Sequence, residues 1–174
     1  MASSGQPVWR SGMLTALAVM VAAVVSAAAT AALLLPAINA ARSAQGDTKS
    51  AGFLHEITSG GFDDDLPSAV ADLRRRVAAH AVAMANTGRA GPPATRLPVP
   101  EGYVATEWVV AKVPAPAGKA STAKVAAAAV ARWLGHPAPR AVVLRPGTDV
   151  GACAVVARAA VAYVACFFHV YYYL

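Results

Sequence analysis

The side chains able to do chemistry in this chain are few and scattered: two cysteines, four histidines and nine acidic residues in 174. Cys153 and Cys166 fall in two β-prone runs, about 149–157 and 160–170, with only Arg158-Ala159 left between them. A hairpin turning between Ala159 and Ala160 leaves the two thiols equally far from the turn and therefore facing each other. Facing residues of an antiparallel pair come close enough for a disulfide. The alternative is two small buried hydrophobes, because a one-residue slip sends the thiols to opposite faces. Neither cysteine stands at a helix start or beside a cation, so a nucleophilic thiol is not indicated.

Other chemistry is harder to assemble. Asp63, Asp64 and Asp65 cannot all face one ion without strain, and they stand just before a helix start. Their expected work is capping and contact with the positive end of the helix dipole. His55 with Glu56, and His169 near the C-terminus, show no spacing typical of a metal helix or a nucleophile triad. GxSxG, HExxH, P-loop and GxGxxG patterns are absent.

The elements that must position these groups can be read from periodicity. Leu33 to Gly46 carries Leu34, Ile38 and Ala41 at helical spacing, Pro36 in the first turn and Gly46 as a stop. The competing reading makes Leu33 to Leu35 the tail of an export signal. Residues 47–64 read as a loop with its turn at 60–62. A helix follows from about Pro67 to Asn86, with Val70, Leu73, Val77, Ala81 and Met84 on one stripe. Arg74, Arg75 and Arg76 are expected on a solvated face, with at least one near the border of the buried stripe.

Thr87 to Pro100 is Gly- and Pro-rich loop, and 102–113 alternates as a strand. Ser121 or Thr122 can cap a helix over 123–134 whose Val125, Ala129 and Trp133 form the buried stripe. A Pro-rich corner holding His136, Pro137 and Pro139 then leads through Arg140 to the two final strands. The order helix, helix, strand, helix, strand, strand predicts an α+β fold. Helices on both faces of a small antiparallel sheet, an α/β/α sandwich, would explain final strands that are apolar on successive residues.

With 57% apolar and 14% charged residues, the chain has material for one globular domain and a membrane-seeking segment. Met13 to Leu35 is free of charge and follows Arg10, the layout of a secretory signal, with Ala27-Ala28-Ala29 among the small-residue cleavage sites. The same run is long enough for an uncleaved transmembrane anchor. The expected division is residues 1–30 as signal or anchor and 31–174 as the domain. Both readings take the domain out of the cytosol, where a disulfide persists. The formal charge of +6 suits anionic surfaces such as membranes or cell walls. It comes without a recognised nucleic-acid-reading motif, so no nucleic acid partner is expected.

The stretch VARWLGHPAPRAVVLRPGTDVGA, from Val130 to Ala152, followed by YVACFF resembles the core of the CAP superfamily, the SCP domain of cysteine-rich secretory, antigen-5 and pathogenesis-related-1 proteins. That core reads like AVxAWLxSPGHRxxILxPxFTxxGVGV followed by YWVQVF, and here the segment between Pro146 and Thr148 is one residue shorter. LLLPAINAARSAQG is similar to the family's opening LLxLVNxARxxxG helix. Leu73, His80, Met84 and Gly88 match its LxxxAxxHAxxMAxxG helix, which makes His80 a packing histidine.

The resemblance implies an α/β/α CAP-like fold and a cleft in which two histidines and two acids can hold zinc. Glu107 corresponds to the acid of the family's GEN segment. The histidine directly before the arginine is replaced by Pro139, with His136 three residues upstream, and Arg89 to Arg96 lacks the other histidine. Glu107 and His136 are thus the remnant of a dismantled metal site, and no resident cofactor is expected. The function implied is a secreted, non-enzymatic binding protein of defence or signalling type, with a sterol or other small apolar ligand. The alternatives are a metal-dependent hydrolase and a membrane-tethered structural protein held by residues 13–35. The chain stops at YYYL, without the Pro/Gly tail of many members. Phe167, Phe168 and Tyr171 to Tyr173 are expected to be partly exposed, as a partner surface.

Overall fold

The computed structural model describes residues 32–46, 66–96, 99, 105–115 and 122–170. The export segment up to residue 31, His55 with Glu56, the Asp63 to Asp65 run and Tyr171 to Tyr173 lie outside the described residues. Helix α1 covers 32–43 and is followed by a turn ending at Gly46, whose φ of 83° is one that glycine adopts without penalty. Helix α2 is Leu66–Thr87, strand β1 Ala105–Pro114, helix α3 Thr122–Leu134, helix α4 Pro137–Val143, strand β2 Thr148–Arg158 and strand β3 Val161–Val170.

The sheet is antiparallel, in the order β1-β3-β2. Being central, β3 is covered on both faces, which is why Ala162 to Val170 is buried at every position. The expectation that Phe167 and Phe168 stay partly exposed is therefore wrong: they are 1% and 0% exposed. They point to opposite faces of the sheet, and each face carries its own helical layer.

On one face, Leu34 and Ile38 of α1, Val125, Ala129 and Trp133 of α3, and Val142 and Val143 of α4 pack against Val109, Val113, Val155, Val164 and Phe168. Leu34 is fully buried, so the leucines at 33–35 include a core residue of the domain. On the other face, Val77, Ala81 and Met84 of α2 pack against Ala152, Tyr163, Ala165 and Phe167. The stripe read from the sequence is the face that α2 buries.

The expected loop at the Pro-rich corner is a helix. Pro137 opens α4 and Pro139 falls in its first turn. The first four N–H groups of a helix have no intrahelical acceptor, so two prolines there remove nothing. The β2–β3 turn is Ala159-Ala160, and the pairing runs in the expected register from Arg158↔Val161 through Cys153↔Cys166 to Ala152↔Phe167. There a bulge at Gly151 shifts it, so that Asp149 faces His169.

Candidate functional site

Glu107 lies near the start of β1, between residues whose neighbours alternate across the sheet. Val109, Ala111 and Val113 face the α1, α3 and α4 layer, and the period of two puts Glu107 on that same side. There its carboxylate accepts a hydrogen bond from the Arg145 guanidinium, and both groups are about two-thirds buried. Arg145 belongs to a longer polar chain. Its carbonyl accepts from Thr148 Oγ1 at 2.9 Å, and Thr148 in turn faces Arg42 of α1. Arg42 is 2% exposed and donates from Nε to the Val143 carbonyl at 2.7 Å and from its terminal nitrogens to the Thr148 carbonyl, 3.1 Å away, and hydroxyl.

This chain fixes α1, the end of α4 and the start of β2 to the edge strand that bears Glu107. A buried guanidinium is tolerated because carbonyls receive its protons. The sequence reading passed over Arg42, although Leu34, Ile38 and Arg42 share one stripe at spacing four. A cation on an otherwise buried stripe is the signal that finds it.

His136 is the N-cap residue of α4 and is exposed. Its Nδ1 lies 2.8 Å from the Arg132 carbonyl. A carbonyl only accepts, so Nδ1 carries a proton, and in the neutral ring Nε2 is the nitrogen with a lone pair. His136 is thus chemically able to bind an ion, but its expected companion Glu107 is engaged by Arg145. Two donors, one of them already spent on an arginine, do not make the three or four that zinc requires. Among the described residues no group of three His, Cys, Asp or Glu side chains is gathered to hold a metal. Among the described residues, Glu107 and His136 do not by themselves fit a zinc centre.

Across the sheet, beneath α2, a row of rings runs edge to face. His80 and Trp108 stand 5.1 Å apart, Trp108 and Phe167 5.0 Å, and Phe167 and His169 5.0 Å. Such contacts contribute beyond the area they bury. His80 Nε2 lies 2.8 Å from the Gly91 carbonyl and ties the following loop to α2, in keeping with its expected packing role. At the far end His169 is 1% exposed, and burial lowers its pKa to about 4, so the imidazole is neutral near neutral pH. Its ring occupies the space above Gly151, where a Cβ would overlap Nε2 and approach Cδ2 to 2.6 Å. Trp108 and His80 are the partly buried rings of this row, and the Trp108 indole N–H is itself buried and has no hydrogen-bond partner.

Cys153 and Cys166 are cross-strand partners whose Cα atoms lie 4.2 Å apart, with the sulfur atoms at disulfide distance. Both belong to the α1, α3 and α4 side of the sheet, Cys166 fully buried and Cys153 partly so. Of the residues singled out in the sequence, the fold joins the two cysteines and separates the two proposed ligands into different bonds. Arg74, Arg75 and Arg76 are all exposed, as expected of a solvated face, and the helical period puts Arg74 beside the buried stripe. No protein-family model matches the chain, and no curated protein or solved structure matches it.

Proposed function

We propose that the chain is an exported, divergent member of the CAP superfamily that acts by binding and not by catalysis, with a small apolar molecule of the sterol or lipid class as its ligand. The observation that carries the non-catalytic part is the Glu107–Arg145 ion pair. The one acid that the resemblance offers as a metal ligand has an oxygen engaged by a neighbouring guanidinium, whose positive charge also opposes the approach of a metal cation. The element order and the two helical layers support the CAP reading. The cysteine pair in β2 and β3 supports an oxidising compartment.

The row of rings between α2 and the sheet supports an apolar ligand. Aromatic faces with one donor at hand are the usual lining of such a site. Trp108 would supply both once its neighbours part to admit a ligand, as an apolar ring and as a buried, unpartnered indole N–H for a hydroxyl oxygen. The test is retention of a fluorescent sterol by the purified protein, with zinc and with a chelator, alongside cleavage of a peptide library. Retention is expected to be indifferent to zinc and to fall on Trp108→Ala. Zinc-stimulated peptide cleavage without retention would support a hydrolase and overturn the proposal.

A further inference from the structure

We infer that the outer ridge of α2 is a docking surface for an anionic lipid bilayer. The side of α2 turned away from the sheet presents Ala71, Arg75, Ala78 and Val82 at spacings of four, three and four, all exposed, with Arg74 and Arg76 on either flank. Val82 is 46% exposed, and the Arg75 and Arg76 side chains are 72% and 54% exposed. The ridge sets one guanidinium among small apolar side chains and is flanked by two more, a mixed basic and apolar face of the kind that rests in the headgroup region of a membrane.

Charge complementarity selects the partner. Asp72, Glu107 and Asp149 are the acidic residues among the described ones. Asp72 accepts from Arg75 at 3.1 Å and Arg76 at 2.6 Å, and those two bonds hold its carboxyl below the usual carboxylate range. Glu107 is paired with Arg145, and Asp149 is buried. Among the described residues, then, no exposed carboxylate is left uncompensated, and Asp47, Glu56, Asp63, Asp64, Asp65 and Glu101 lie outside them. Arg74, Arg75 and Arg76 offer planar donors that match lipid phosphates. The ridge has no aromatic side chain on which bases could stack, which favours a bilayer over a nucleic acid. This inference concerns an outer face and stands apart from the apolar ligand beneath α2, because adhesion to vesicles requires no sterol.

The experiment compares sedimentation of the full chain with vesicles of phosphatidylcholine alone and of phosphatidylcholine mixed with phosphatidylserine. The readout is the ratio of the two affinities, which cancels the purely apolar part of any insertion by the run that begins at Met13, and the comparison of the α2 and α3–α4 variants removes the contribution of Arg10. The ratio is expected to favour the anionic vesicles and to shrink as salt is added. Arg74→Glu/Arg75→Glu/Arg76→Glu should reduce anionic binding by about a hundredfold or more, taking roughly a tenfold loss or somewhat less per removed charge. Lys124→Glu/Arg132→Glu/Arg140→Glu, on exposed residues of α3 and α4 on the opposite layer, should retain most of it. If the α2 glutamate variant does not fold, the corresponding triple glutamine variant serves in its place. A ratio near one, an equal loss in the α3–α4 variant, or binding to soluble dextran sulfate without vesicle association would each overturn the inference.

Discussion

Gly151→Ala should be among the most damaging single-methyl additions in the β2–β3 hairpin. The new Cβ would overlap His169 Nε2, come within 2.6 Å of Cδ2 and within 3.0 Å of Leu73 Cδ2. His169 cannot swing aside cheaply, because its ring is 1% exposed and already lies edge-on to Phe167. Overpacking a close-packed site costs about 1–3 kcal/mol, and a clash with a locked ring belongs at the upper end. Alanine recovers roughly 0.5–1 kcal/mol of that by restricting the unfolded chain. The net expectation is a loss of about 2 kcal/mol, which at a urea slope of roughly 2 kcal/mol/M lowers the midpoint by about 1 M.

Urea denaturation followed by tryptophan fluorescence measures this loss, and a double-mutant cycle with His169→Ala identifies its cause. With the imidazole gone the new methyl has room, so the two changes together should cost at least ~1.5 kcal/mol less than the sum of the single losses. A neutral Gly151→Ala, or losses that add to within about 0.5 kcal/mol, would refute the claim that the missing side chain at Gly151 makes room for the His169 ring.

Other expectations follow from the same contacts. Arg42→Leu should cost about 3–5 kcal/mol in urea denaturation, because the Val143 and Thr148 carbonyls lose a buried charged donor. The pKa of His169 falls on folding from 6.5 to about 4, so the neutral form favours the native state. Its contribution, about 3 kcal/mol, should be complete above pH 6.5 and be lost as the pH drops through about 4, and a stability profile of His169→Asn should lack that segment. Thiol titration of the denatured, unreduced protein should find no free thiol at Cys153 or Cys166, and replacing both by alanine should cost about 3 kcal/mol, the value for a loop of this length. Ala159 holds a φ of 53°, so Ala159→Gly should stabilise the turn by about 0.5 kcal/mol, measured as a rise in the urea midpoint.

Local pattern carried the sequence reading as far as local pattern decides structure. The stripe from Leu73 to Met84 named the buried face of α2, and the midpoint between Ala159 and Ala160 fixed which residues of β2 and β3 meet. Those features depend on a period of 3.6 or 2 and on one turn. The helix at Pro137–Val143 was hidden because proline reads as a breaker unless it is known to fall in a first turn. The burial of Phe167 and Phe168 was hidden because a strand's place at the centre of a sheet is decided by its partners. Glu107 meets Arg145 across 38 residues, and Arg42 meets Thr148 across 106, so neither bond leaves a mark in the neighbouring sequence. The close approach of the His169 ring to Gly151 belongs to the same class, since it joins two strands.

Native mass spectrometry of the purified protein after exposure to a mixture of sterols, phospholipids and zinc tests the central claim most directly. The account predicts a mass increase of one sterol or lipid molecule that survives chelation and is weakened in Trp108→Ala. A mass increase of one zinc ion that accompanies peptide cleavage, and that disappears in Glu107→Gln, would contradict it.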